Sequence, residues 1–246
     1  MVARRSSLLL VGLVILTLTL SGCLTGGGGT QKEQTVTEFF AEMSTAFESL
    51  KAERIADVID LPIVFEFDEF TIAVMDTGEE PPRIEVTRDA FIDILGVPLS
   101  IARAGGAELV FEIREPEDGE IDIAYDDNYA FVSNAELYIE LQISQATMED
   151  VFEKVLVNLM NWFIEELDIE IDEELLEEFE DLDQYLDEYA HLVWESIEGL
   201  ILDNYDGEWP EVFEGSIDAE FILKKVNGKW KLSADFSDVF LPLLAL

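Results

Sequence analysis

The chain predicts an α+β fold, and three observations carry that prediction. Apolar residues recur near helical spacing from about residue 35 to residue 60, and again across residues 148–203. From Glu108 to Ile143 the period switches to two, the pattern of strands with one buried face. Near the C-terminus Asn227-Gly228 separates two more strand-like runs, and Asn-Gly is a strong hairpin signal.

Taken in order, Thr35 or Thr37 opens a first helix, with Phe39, Phe40, Met43, Phe47, Leu50, Ile55, Val58 and Ile59 at near-helical spacing as far as Asp60. Pro62 stops it, because proline lacks the N–H a helix needs. Residues 63–75 read as a strand or hairpin, and residues 78–82, Gly-Glu-Glu-Pro-Pro, as a loop. Thr87 caps a second helix with an apolar stripe of Phe91, Ile94 and Leu95, which Gly96 and Pro98 are expected to close. Leu109, Phe111 and Ile113 form one face of a strand, residues 115–119 turn the chain, and residues 121–125 follow. Asp126-Asp127-Asn128 turns it again into one long alternating strand, residues 129–143.

Residues 148–203 read as two amphipathic helices. Val151, Phe152, Val155, Leu156, Leu159, Met160, Phe163, Ile164 and Leu167 line the first. Asp172 caps the second, whose inward stripe reads Leu175, Leu176, Phe179, Leu182, Leu186, Tyr189, Val193, Ile197 and Leu200. Residues 204–215 read as a loop, and residues 216–223 and 229–236 as the closing hairpin.

Residues 1–22 read as a secretory signal. Arg4 and Arg5 supply a positive start, residues 8–20 an apolar stretch of thirteen, and Ser21 and Gly22 the small residues before Cys23. Thirteen apolar residues are too few to span a bilayer, which takes about 20. Leu20-Ser21-Gly22-Cys23 resembles the lipobox of prokaryotic lipoproteins. The resemblance implies diacylglycerol on the Cys23 thiol and cleavage between Gly22 and Cys23. The one cysteine of the chain thereby acquires a purpose, since it can form no internal disulfide. Two acyl chains also meet the two-signal requirement of stable anchoring. The expected location is the extracytoplasmic face of a cell membrane. Arg4-Arg5 fits either the general secretory or the twin-arginine route. Residues 23–33, with four consecutive glycines, read as a flexible tether, and residues 34–246 as a single α+β domain carrying the helical insertion 148–203.

The chain holds 55 acidic and 14 basic residues, a net charge of −41. Loss of Arg4 and Arg5 with the signal leaves 12 basic residues against the same 55 acids, or −43. With 49% hydrophobic residues and 11% aromatics the chain can bury a core, which excludes disorder. The acid excess excludes nucleic acid as a natural partner and repels anionic lipid. Spread over the whole chain, it reads as salt adaptation: a hydrated, self-repelling surface that salt screens.

A long first helix, a strand, a short helix opened by Val86-Thr87, and a meander ending in Phe221-x-Leu223-x-Lys225-x-x-Gly228-x-Trp230-x-Leu232 together resemble the nuclear transport factor 2-like, or cystatin-like, cone. The resemblance implies a curved antiparallel sheet wrapped around the long N-terminal helix, leaving a pocket. It covers roughly residues 34–143 and 216–236. The two-helix acidic insertion before the C-terminal hairpin departs from the family, and is expected to cover the open mouth of the cone.

Residues able to carry chemistry are few. His191 is the one histidine and reads as a helix-surface residue. Asp181-x-Asp183-x-Tyr185-x-Asp187 resembles the start of a calcium loop, but Leu186 stands where the turn needs glycine. The acids of residues 115–118 and Asp126-Asp127-Asn128 lie in turns, where acids are ordinarily solvated. With one cysteine and one histidine no zinc site is expected, and no catalytic residue, cofactor or metal is assigned. Trp162, Trp194, Trp209 and Trp230 read as core or as a pocket wall, and residues 239–246 as a packed or partner-docking tail. The expected function is a membrane-anchored binding or interaction module, its partner a protein or a small apolar ligand. Alternatives are an enzyme using the cone pocket and an assembly lipoprotein with no small ligand.

Overall fold

A computed structural model describes residues 34–66, 83–117, 119–166 and 182–233. The expected signal, Cys23, the tether, residues 67–75 of the expected strand, the expected loop at residues 78–82, Asp172, residues 234–236 and the tail 239–246 lie outside the described residues. The fold is α+β, with a curled antiparallel sheet.

Helix α1 spans Val36–Glu48 and begins with a capping box. The Glu38 N–H donates to Thr35 Oγ1 at 3.1 Å, and the Thr35 N–H donates to Glu38 Oε2 at 2.8 Å. Two amides that a helix start leaves orphaned are thereby satisfied. The expected helix to Asp60 is broken in two. Leu50 adopts the left-handed region, φ 48°, and α2 spans Ala52–Val58. A left-handed leucine costs roughly 1–2 kcal/mol. Burial of Leu50 itself, and of Ile55, Val58 and Ile59 beyond the bend, offsets that cost. Pro62 therefore stops nothing: Ile59 already bridges Leu232 of the last strand.

Strands β1 (Ile63–Glu66) and β2 (Arg83–Val86) pair antiparallel, with Ile63 opposite Val86. Thr87 caps α3 as expected, its hydroxyl accepting from the Ala90 N–H. Gly96 and Pro98 do not close α3, which runs through both, Arg88–Ala104, to Gly105. Proline at position 98 leaves the Ile94 carbonyl without its helical donor. The side chain of Asn158, from α4 (Gln145–Glu166), fills that gap: Nδ2 donates to Ile94 O at 3.0 Å. A neighbouring helix supplies the bond the sequence of α3 withholds.

The main sheet contains β3 (Glu108–Arg114), β4 (Asp122–Asp126), β5 (Tyr129–Gln142), β6 (Phe213–Val226) and β7 (Lys229–Leu232). Its order is β3-β5-β6-β7, and β4 also pairs with β5. β3 takes residues 136–142 of β5 and β4 takes residues 129–133. β5 is not one uniform alternation. The β5–β6 register shifts between Val132 and Ala135, where Asn134 has φ 52°. The Asn134 amide donates to Glu120 O at 2.7 Å. Asn227 and Gly228 both take positive φ, as a tight hairpin turn requires. β6 starts at Phe213, three residues before the expected strand, because Phe213 is buried opposite Leu141.

Curl is visible between β4 and β7, three strand spacings apart. Flat strands would stand about 14 Å apart at that separation, yet the rings of Tyr125 and Trp230 have centroids 6.1 Å apart. α1 lies on this sheet: Phe47 stacks on Phe111 at 4.4 Å, and Phe40 meets Phe221 edge-on at 5.8 Å.

The expected helices of residues 148–203 appear as α4 and as α5 (Leu182–Asn204). Their buried side chains Met148, Val155, Trp194 and Ile201 belong to the same core as α1, α3 and the sheet. The inward stripe of α5 differs from expectation in part, and its expected members Leu175, Leu176 and Phe179 lie outside the described residues. Leu186, Ala190, Trp194 and Ile201 are buried, whereas Tyr189 and Leu200 are exposed. The face is set by Trp194, the largest fully buried side chain among the described residues. Tryptophan is the largest apolar side chain, and tyrosine carries a hydroxyl that burial must satisfy, so burying Trp194 outweighs burying Tyr189 or Leu200.

Candidate functional site

Titratable side chains converge where α4 and α5 pack together. Glu149 and Glu153 lie one turn apart on α4, on the same face. On α5, rotation of the buried stripe onto Ala190 and Trp194 carries the next residue, His191, to the edge that faces α4. His191 Nδ1 lies 2.8 Å from Glu153 Oε1 and 3.7 Å from Glu149 Oε1. On the other side of the ring, Nε2 lies 3.8 Å from Glu195 Oε1. The hydrogen bond to Glu153 is the main cause that holds the His191 pKa above its ordinary value. Desolvation opposes it, and the charges of Glu153, Glu195 and Glu149 reinforce it.

Core packing fixes the two helices close to these side chains. Phe152, next to Glu153, meets Trp194 with ring centroids 5.7 Å apart. Ala190, next to His191, is buried with Val157 and Leu186 in a small second core. Gln145 at the start of α4 donates to Glu198 of α5. The side chains are partly screened: 30% exposed for Glu153, 35% for Glu149 and 53% for His191.

Four tryptophans read at the sequence level as core or pocket wall all pack against other groups. Trp194 sits in a run of rings, Phe152–Trp194–Trp209–Phe213–Tyr205, that joins the inserted helices to β6. Trp209 Nε1 donates to Ile143 O at 3.0 Å, and Trp162 lies beside Phe163. Trp230 is pinned from both sides of its residue: its N–H donates to Gln34 Oε1 and its indole N–H to Gln34 O.

On the outer face of the sheet, Arg114 lies 3.4 Å over the Tyr138 ring and pairs with Glu112. Tyr138 donates to Glu140, and that bond is the first cause raising the tyrosine pKa. Glu136, Glu140, Glu214 and Asp218 share this face by register. Phe131, opposite Ile222 and close to Tyr129, is an exposed aromatic on the same side.

Of the other sequence candidates, residues 182–187 of the calcium-like run are helical, as expected, while Asp181 lies outside the described residues. Asp126-Asp127-Asn128 forms an exposed turn with Asp127 at φ 48°. The pairing of His191 with Glu149 and Glu153 escapes sequence reasoning because the partners are 42 and 38 residues away in sequence. A signal exists in the Glu-x-x-x-Glu spacing on the helix preceding the histidine's own. Among the described residues no helix is long and apolar enough to cross a membrane. No family model, no curated protein and no solved structure matches this chain.

Proposed function

We propose that this chain is a lipoprotein of the extracytoplasmic face of a cell membrane, anchored through acyl chains on Cys23. Its folded region acts as a non-catalytic binding or interaction module with an acidic, salt-adapted surface. The observation that carries this reading is Leu20-Ser21-Gly22-Cys23 at the end of a thirteen-residue apolar stretch behind Arg4 and Arg5. The finer fold reading belongs to the same proposal: the sheet wraps around the N-terminal helix as in the nuclear transport factor 2-like cone. The Phe47–Phe111 and Phe40–Phe221 contacts and the Tyr125–Trp230 approach support it.

One observation favours a protein partner or an assembly role over a small apolar ligand. Leu109, Phe111, Ile139 and Leu141 are buried in one cluster with Phe39, Met43 and Phe47 of α1, so that side of the sheet is already occupied. Partners are then met on the outer surface.

Membrane fractionation of wild type and Cys23→Ala tests the anchor. Wild type should partition with the membrane and show a mature N-terminus at a diacylated Cys23 by mass spectrometry, and Cys23→Ala should not. A Cys23→Ala protein as firmly membrane-bound as wild type would overturn the reading.

A further inference from the structure

Among the described residues, Glu149, Glu153 and His191 differ from the other ionisable surface groups. They form a mixed set of one imidazole nitrogen and two carboxylate oxygens, and these atoms lie within 4.8 Å of one another. They come from two helices whose backbones are held by the partly buried Phe152 and by the buried Trp194 and Ala190. We propose that Glu149, Glu153 and His191 bind one first-row transition-metal dication, of the manganese-to-zinc class, across the α4–α5 pair.

Donor geometry fits such an ion. Two ligands about 2.1 Å from a tetrahedral metal stand about 3.4 Å apart. The His191–Glu153 and His191–Glu149 separations, 2.8 and 3.7 Å, bracket that value. All three donor atoms lie within 4.8 Å of one another, a spread that one ion can gather. Donor chemistry sets the class: imidazole suits zinc, copper, iron and nickel, whereas calcium and magnesium take oxygen ligands. If Nδ1 takes the metal, Nε2 carries the ring proton and faces Glu195, the arrangement in which a carboxylate outside the ligand set orients a ligating histidine. Like charges four residues apart on one helix, as at Glu149 and Glu153, destabilise it. A dication between them reverses that sign. His191 is 53% exposed, which leaves the remaining coordination positions open to solvent. A proton and the metal compete for Nδ1, so binding weakens as pH falls.

Because His191 is the one histidine of the chain, its ring gives one set of nitrogen resonances. Zinc acetate is titrated into the full chain, chelator-treated, in detergent and at fixed high salt. The ring signals should shift and saturate at one equivalent. Calcium or magnesium at the same concentration should leave them unmoved. The His191→Ala variant, followed by equilibrium dialysis, should lose the tight equivalent. Glu153→Gln and Glu149→Gln should each weaken zinc at least tenfold, and Asp187→Asn, an exposed acid of the same helix, should bind as wild type. A ring shift that fails to saturate by several equivalents, equal shifts with calcium, or undiminished one-equivalent binding in His191→Ala would each overturn the site. The wild-type titration alone decides the matter where a variant fails to fold.

Discussion

Removing the amide of Asn158 should cost more than its half-exposed position suggests, because of Pro98 on the neighbouring helix. Proline withholds the donor that the Ile94 carbonyl would otherwise receive, and Asn158 Nδ2 supplies it at 3.0 Å. Leaving a carbonyl unsatisfied in a part-buried place costs about 1–3 kcal/mol. For a chain of this size each kcal/mol moves the melting midpoint by about 2–4 °C, so Asn158→Ala should lower it by about 6 °C. In Pro98→Ala the new backbone N–H at that position can serve the same carbonyl. Asn158→Ala should then cost under about 1 kcal/mol in that background, a coupling of about 1–2 kcal/mol. Urea unfolding of the wild type, both single variants and the double variant, at one fixed KCl concentration, measures the cycle. Additive costs, within about 0.5 kcal/mol, would refute the claim that Asn158 compensates for proline.

Two further outcomes follow from the charges. With 55 acids against 14 bases the folded chain repels itself, so its melting temperature should rise from low to multimolar salt, with KCl and NaCl alike; a flat or falling curve would contradict salt adaptation. In chelator, the histidine clasp should stabilise in acid. Its folded pKa is raised by the Glu153 bond, so the contribution is fully present below about 6.5 and is lost as pH rises through the folded value. The ring titration should report a midpoint above 6.5, and Glu153→Gln should return it toward the ordinary value; a wild-type midpoint at or below 6.5 would count against the clasp.

Periodicity reads the elements well where one rule governs them. The capped starts of α1 and α3, the Asn227-Gly228 hairpin and the first inserted helix stand near their expected places, and the described part of the second falls within its expected range. It fails where a distant residue overrides a local preference. Nothing near Pro98 announces Asn158, some sixty residues on, so the local sequence predicts that the helix ends. Nothing in Ser49-Leu50-Lys51 signals a left-handed leucine, since glycine or asparagine ordinarily takes that place. Helical periodicity also fixes the facing stripe only to within one residue. That single residue decides whether Tyr189 or Ala190 turns inward, and with it where His191 stands. The candidate metal site is therefore legible as residue types but not as a place.

The register shift in β5 also has a consequence for how that strand's residues are counted. Val132 and Ala135 are both buried although three positions separate them, where an unbroken strand returns to the same face every second residue. Inward positions are even-numbered at Ala130 and Val132 and odd-numbered at Ala135, Ile139 and Leu141. The strand thus changes parity once, at Asn134, and every strand that pairs with it reads its own inside and outside from that change. Its residue count is as much a determinant of the sheet as its side chains.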